Sequence, residues 1–98
     1  MVSTSAVPRK AMATSFRVVD GQAIVMQAEN AEVHILNDVG TRVWGLLDGK
    51  RTVEEIVDLV GKQLRSEYDG VPQDLAADVI AFIEDIGKRG MIEMAEKA

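Results

Sequence analysis

Between Ser15 and Leu36, short β-rich runs alternate with residues that favour turns. The runs FRVV and QAIVMQA are separated by Asp20-Gly21, which suits a type I′ turn because both central residues of that turn need a positive φ. A second turn is predicted at Glu29-Asn30-Ala31, before the run EVHIL. Sequential pairing then gives a three-stranded antiparallel meander with its second strand in the middle. The predicted strands cover about 15–20, 22–28 and 32–36.

Beyond these strands the apolar residues follow a helical spacing. Asn37-Asp38 is a suitable start for a first helix. Thr52 and Glu55 form a capping box, in which each side chain accepts a hydrogen bond from a backbone N–H of the first turn. Pro72 suits the first position of a third helix, and Gly90 suits its left-handed end. The predicted helices cover about 38–47, 52–66 and 72–89.

A run of strands followed by a run of helices predicts one α+β domain, over residues 14–94. Residues 1–13 are small and polar and have no periodicity, so they are expected to form a disordered tail. Residues 95–98 are expected to be a short C-terminal tail. Tyr68-Asp69-Gly70 separates the second and third helices, and the MIEM segment at 91–94 fits either a last strand or a packing segment.

The third predicted helix has an unusually wide apolar sector. On a wheel of about 100° per residue, Val79, Phe82 and Ile86 lie within about 40° of Leu75, and this arc is expected to face the core. An adjoining shoulder lies at roughly 80–140° and contains two very small residues, so it predicts a shallow trough. Packing of this shoulder on the first helix or the sheet is the alternative. The shoulder consists of Ala76, Ile80, Ile83 and Gly87.

The third predicted strand lies at an edge of the meander, where its outer N–H and C=O groups have no partner. Edges of this kind are usually blunted by Lys or Pro, and the segment contains neither. A bare edge beside an apolar trough is a suitable place for an extended peptide to add as a further strand. The edge residues are Glu32, Val33, His34, Ile35 and Leu36.

Composition narrows the function classes. The 98 residues include no Cys and only one His, His34, so no metal, cofactor or catalytic site is predicted. Trp44 is expected to lie in the core. No apolar run is long enough to cross a membrane, and the N-terminus lacks the apolar stretch of a secretory signal, so a cytoplasmic location is expected.

Charge argues against nucleic acid as a partner. The net charge is −5, and Arg9, Lys10 and Arg17 are the only charged residues among the first 17. The remaining residues carry 8 basic and 16 acidic side chains, which repel a phosphate backbone. A winged-helix DNA-binding or transcription-regulatory domain remains the alternative function, and it would require a basic recognition helix. A small enzyme is a third possibility, and the absence of candidate catalytic residues argues against it.

Two groups of residues carry a resemblance to a known family. They are Leu36-Asn37, Gly40, Val43-Trp44, Leu46-Leu47-Asp48-Gly49, Arg51-Thr52 and Glu55-Ile56, followed by Asp78-Val79, Phe82-Ile83 and Arg89-Gly90-Met91-Ile92. With this pattern the chain resembles the PqqD family over about residues 15–93. The resemblance implies a winged-helix-like domain, with a three-stranded meander followed by a three-helix bundle. It also implies a non-catalytic recognition element for the leader segment of ribosomally made, post-translationally modified peptides.

The family includes the peptide chaperone of pyrroloquinoline quinone (PQQ) biosynthesis, which delivers a precursor to a radical S-adenosylmethionine enzyme, and relatives in lasso-peptide pathways. Its members bind the leader as a strand added to the third strand, against the third helix. The implied partners are therefore a precursor peptide and a peptide-modifying enzyme, and the bare edge also permits a homodimer. Carried over to this chain, the implied peptide-binding residues are Glu32, Val33, His34, Ile35, Leu36, Ala76, Ile80, Ile83 and Gly87.

Overall fold

The structure, a computed structural model, describes residues 3–68 and 70–96. It contains two small antiparallel sheets and three helices, so the predicted α+β class is confirmed. In chain order the elements are β1 (Ala6–Lys10), β2 (Thr14–Val19), β3 (Gln22–Gln27), β4 (Val33–Ile35), α1 (Asp38–Gly45), α2 (Val53–Glu67), α3 (Leu75–Lys88) and β5 (Ile92–Glu96).

The predicted meander is confirmed, with strand order β2-β3-β4. Asp20 and Gly21 have φ values of 51° and 78°, as the predicted type I′ turn between β2 and β3 requires. On β3, Ala23 and Val25 are fully buried beneath the helices, whereas Met26 is exposed. The central strand therefore has one face on the core and one face turned away from it.

The helix starts follow the predicted caps. The Asn37 side chain accepts a hydrogen bond from the Gly40 N–H at 2.8 Å, at the start of α1. The Thr52 hydroxyl accepts from the Glu55 N–H and the Glu55 carboxylate accepts from the Thr52 N–H, which completes the capping box of α2. Gly90 follows α3 with φ 77°, as expected for a left-handed helix end.

Two predicted helix bounds are wrong. The first helix ends at Gly45 rather than near residue 47. The third begins at Leu75, and Pro72 lies before it, where its carbonyl accepts a hydrogen bond from the Leu75 N–H. Pro72 therefore belongs to a turn that precedes α3. Of the predicted break at 68–70, Tyr68 caps the end of α2, and residue 69 lies outside the described residues.

The predicted disordered tail is wrong for the described part of 1–13, and β5 also extends past the predicted domain end. Ala6–Lys10 pairs antiparallel with Ile92–Glu96 along the whole strand, in a register that places Ala6 opposite Glu96. Arg9 forms an ion pair with Glu93 at 2.5 Å across this ribbon. Because the partner strands are about 85 residues apart in sequence, no local pattern announces the pairing. Residues 1–2 and 97–98 lie outside the described residues.

The ribbon also covers the core at Trp44. This side chain is 1% exposed, which confirms its predicted core position. Phe16 meets its ring edge-on at 5.8 Å between centroids, and the Lys10 ammonium lies over both rings. The Lys10 Nζ donates to the Leu47 carbonyl at 3.3 Å, and burial lowers the pKa of Lys10. Lys10 thus places its cation over the two aromatic rings and also hydrogen-bonds the turn that follows α1.

Candidate functional site

The β4 strand is a free edge. Among the described strands it pairs with β3 alone. The Leu36 N–H donates to Ala23 O at 2.8 Å, and Glu32 O accepts from the Gln27 N–H at 3.0 Å. Since antiparallel pairing alternates, Val33 and Ile35 turn their own N–H and C=O groups away from β3. These two residues therefore offer four backbone groups to an incoming strand.

A groove runs between this edge and the C-terminal half of α3. It encloses a cavity of about 420 Å³. One wall is residues 33–37, which include the whole of β4. The other wall is built by side chains of α3 and the residues after it. These are Phe82, Asp85, Ile86, Arg89 and Met91.

The side-chain amide of Gln27 is hydrogen-bonded to both walls of the groove. Gln27, which is buried on β3, donates from its Nε2 to the Arg89 carbonyl at 2.6 Å. Its Oε1 lies 2.9 Å from His34 Nε2. Because the Gln27 oxygen can only accept, the His34 Nε2 must carry the proton in this contact. Gln27 thus fixes the distance between β4 and the end of α3, and it sets the tautomer of His34.

The groove has one ion pair on α3 and one further carboxylate beside β4. On α3, Arg89 Nε lies 3.1 Å from an Asp85 carboxylate oxygen, and both side chains are about half exposed. Just before β4, a Glu32 carboxylate oxygen lies 3.3 Å from His34 Nε2, the same ring nitrogen that contacts Gln27. The walls therefore carry no large field of one sign. Apolar contact, mainly with the partly exposed Phe82 because Ile86 is almost fully buried, is left as the main source of affinity for an extended peptide.

The structure brings the predicted edge residues 33–36 together along one wall, whereas Glu32 precedes β4 and does not line the cavity. It places the predicted trough elsewhere. Ile83 is 0% exposed and belongs to the core cluster. Ala76, Ile80 and Gly87 do not line the cavity. The prediction that this shoulder of α3 faces the third strand is therefore wrong. The flank of α3 that carries Ile83 packs in the core, and the opposite flank, which carries Phe82 and Asp85, lines the groove.

Phe82, like Ile86, lines the groove although the helical wheel placed it in the core arc. It is partly buried and packs against the core while lining the cavity. The mean direction of the large apolar side chains of α3 lies roughly 40° from Leu75 toward Ile83. Phe82 lies roughly 60° from that mean direction, farther than Ile83, so a wheel centred on the mean would have marked it as a flank residue.

Gly40 makes room for Phe82. A Cβ at this position would lie 3.2 Å from the nearest Phe82 ring atom and 3.1 Å from the Asn37 Oδ1. Those separations are tighter than ordinary carbon contacts, so any side chain here would displace the ring or the cap. The ring can therefore sit directly on the first turn of α1, beside the groove.

The site offers backbone pairing and an apolar wall, which together suit an extended peptide. Among residues 3–68 and 70–96, no three His, Asp or Glu side chains are grouped so that they could hold a metal ion. Within the same residues, no helix is both long and apolar enough to traverse a bilayer.

Comparison with known proteins places this geometry in context. Two curated relatives are each described as a PqqA binding protein, from Pseudomonas syringae pv. syringae (strain B728a) and Pseudomonas savastanoi pv. phaseolicola (strain 1448A / Race 6). Each is 36% identical to this chain over 59 residues, which cover 60% of this chain and 57% of the relative. The match thus spans less than two thirds of either relative.

Solved structures share the fold at low sequence identity. The PqqD part of Methylobacterium extorquens PqqCD, a stand-alone recognition element, has a TM-score of 0.72 at 24% identity and covers 95% of both chains. TbiB1 in complex with the TbiA(beta) leader peptide has a TM-score of 0.70 at 22% identity, over 87% of this chain and 94% of that one. Lasso peptide synthetase B1, also complexed with its leader peptide, has a TM-score of 0.67 at 24% identity, over 89% and 98%.

The family model described as Coenzyme PQQ synthesis protein D (PqqD) matches residues 22–92. That span contains β3 and β4 of the meander, all three helices and both walls of the groove. The chain therefore belongs to the PqqD family.

Proposed function

We propose that this protein is a non-catalytic adaptor that binds the leader segment of a precursor peptide and presents it to a peptide-modifying enzyme. The observation that carries the proposal is the free β4 edge directly beside the groove of α3. An extended guest can satisfy its backbone on the edge while its side chains reach the apolar wall.

The leader peptide, as the guest, would add to β4 as a further strand, with its side chains pointing alternately to the two faces of the sheet. Its backbone pairs with the outward groups of Val33 and Ile35, so every second guest side chain points into the groove. There it meets Phe82 and Ile86 above the buried Gln27 bridge. With only three residues in β4, the contact is small, below the ~1,200 Å² of a standard interface. Two or three apolar anchors on the guest would then supply most of the affinity.

The names of the similar proteins support this assignment. The curated relatives are called PqqA binding proteins, and two of the structural neighbours were solved with leader peptides. We therefore take a PqqA-type precursor as the first peptide to test, with a radical S-adenosylmethionine enzyme as the first modifying partner. Both would act in the cytoplasm, where a ribosomal product is first available.

Amide hydrogen exchange tests the strand addition without any substitution. In the free protein, the Val33 and Ile35 amides should exchange quickly, because their N–H groups face outward. Saturating synthetic PqqA from P. syringae should slow both by about tenfold or more. The His34 amide already faces β3 and should change little.

The opposite edge of the sheet supplies a matched control. Ala28 N–H donates to Ala13 O, so by alternation Phe16 and Val18 turn their amides outward on β2. These amides should be unaffected by the peptide. Unchanged exchange at Val33 and Ile35, or equal protection of both edges, would contradict strand addition at β4.

The rival DNA-binding function lacks the charge it needs. Across Leu75–Lys88, α3 carries three acidic residues and one basic residue. A recognition helix that contacts phosphates requires Lys or Arg on its exposed surface. A low-salt gel-shift assay with mixed-sequence duplex DNA should therefore detect no complex at protein concentrations that saturate the peptide.

A further inference from the structure

The β2-β3-β4 sheet has a second face that no element of the described chain covers. Its helix-facing side holds the fully buried Ala23 and Val25. On the outer side, Met26 is 48%, Val33 53% and Ile35 67% exposed. An antiparallel sheet with one solvated face normally places polar residues there, so these apolar positions call for an explanation.

Strand register gathers these side chains into one block. Ile24 lies opposite Ile35, and Met26 lies opposite Val33. On the other side, Arg17 lies opposite Ile24. Because directly opposed residues share a face, the four apolar side chains form a continuous patch with Arg17 at its margin. A concavity of about 330 Å³ borders Arg17, Ile24 and Met26.

Arg17 gives the patch a charge preference. It is the only charged residue among the outward positions of the three strands, in a chain of net charge −5. It forms no ion pair with a described residue, whereas Arg9, Arg42, Arg51 and Arg89 each have a carboxylate partner. A partner with an apolar centre and a carboxylate at its rim would complement this face.

The position of the patch indicates which partner this is. A guest strand on β4 would turn every second side chain outward, next to Val33 and Ile35. The outer face of the extended sheet would then carry side chains from both the adaptor and the peptide. A protein bound to this face would contact the adaptor and the bound leader peptide at the same time. In the proposed function, the modifying enzyme is the partner that must contact both.

We infer that the outer sheet face, formed by Ile24, Met26, Val33 and Ile35 with Arg17 at its margin, is the docking surface for the peptide-modifying enzyme. The inference rests on the proposed function. It adds a second surface, which shares Val33 and Ile35 with the groove wall and extends across the outer face of the sheet. The peptide would pair with the edge of β4, and the enzyme would cover this outer face. The enzyme's complementary surface is apolar with an acidic rim.

Two substitutions test this surface. Met26→Lys places a charge in the centre of the patch, and Arg17→Glu reverses the charge at its margin. Neither side chain lines the groove, so peptide affinity measured by fluorescence anisotropy should stay within about twofold of the native value. Affinity for a purified radical S-adenosylmethionine enzyme of PQQ biosynthesis, measured by calorimetry without peptide, should fall about tenfold or more for each. Met12→Lys is the matched control, since Met12 is 94% exposed on another part of the chain and should change neither affinity.

The outcomes separate the two proposals. If the native protein fails to bind any precursor peptide, the proposed function fails, whereas enzyme affinity still tests the face. Native enzyme affinity in both face variants, with folded spectra, would overturn the docking surface. A native dimer in sedimentation that Met26→Lys converts to a monomer would also overturn it, since a second copy would then occupy the face.

Discussion

Phe82 and Ile83 are neighbours on α3, and their truncation should affect different properties: stability for Ile83 and peptide affinity for Phe82. Ile83 is 0% exposed in the core cluster, so Ile83→Ala removes three buried carbons and leaves a cavity. The expected cost is about 2–5 kcal/mol. A domain of this size is stable by only about 5–15 kcal/mol. Because 1 kcal/mol shifts Tm by roughly 4–8 °C in domains of this size, the transition should fall by at least roughly 8 °C.

Phe82→Ala should mainly affect binding. Its ring is partly exposed in the groove and packs on the core with its other side, so the stability cost should be below the ~3–5 kcal/mol of a fully buried Phe. If the ring is a main anchor of the groove, its loss should weaken peptide binding by about 2 kcal/mol, or roughly 30-fold.

Ile80→Ala is the matched control. Ile80 is also partly buried on α3, but it lies outside the cavity. It should lose stability to a similar degree as Phe82→Ala and keep its peptide affinity within about twofold.

Urea unfolding followed by circular dichroism gives the three stabilities, and a fluorescence titration with labelled precursor peptide gives the affinities. The reasoning is refuted if Ile83→Ala costs less than about 1 kcal/mol, since a well-packed core position cannot be so tolerant. It is also refuted if Ile80→Ala weakens the peptide as much as Phe82→Ala does. That result would return the site to the helix flank that the sequence suggested.

Three further predictions concern the framework of the groove. Gln27→Met leaves the Arg89 carbonyl without its donor and should cost about 1–3 kcal/mol in urea unfolding; NMR of the His34 ring should detect loss of the fixed Nε2-protonated tautomer, and an unchanged tautomer would contradict the bridge. Thr52→Ala should cost about 0.5–2 kcal/mol, whereas Thr52→Ser, which keeps the capping hydroxyl, should cost much less. A hydrogen bond from the Lys50 backbone N–H lowers the pKa of Asp48 in the folded protein. The ionised Asp48 therefore stabilises the fold above the unfolded aspartate pKa of about 3.9, and this contribution is lost as the pH falls through the lower folded pKa. Denaturation midpoints of Asp48→Asn should therefore decline less between about pH 4 and 2 than those of the native protein, and parallel curves would count against this linkage.

The sequence by itself determined the features that depend on neighbouring residues. Asp20-Gly21 specified the hairpin because few residue pairs tolerate two positive φ angles. The Thr52 box specified the start of α2 because its hydrogen bonds span only three residues. Since these elements follow one another directly, sequential pairing was enough to place β4 at the edge. The open edge, on which the proposed function depends, was thus readable without coordinates.

Only the tertiary structure decided which flank of α3 faces that edge. A helical wheel gives the width of the apolar sector but not the direction from which the sheet approaches, so Ile83 and Phe82 exchanged roles between prediction and structure. The pairing of Ala6–Lys10 with Ile92–Glu96 was likewise not predicted, because residues 6–10 have no recognisable strand pattern and the 91–94 segment suited a last strand only as one of two alternatives. Both features depend on contacts between residues far apart in sequence. Such contacts form only when the whole chain packs, and they leave no local signal.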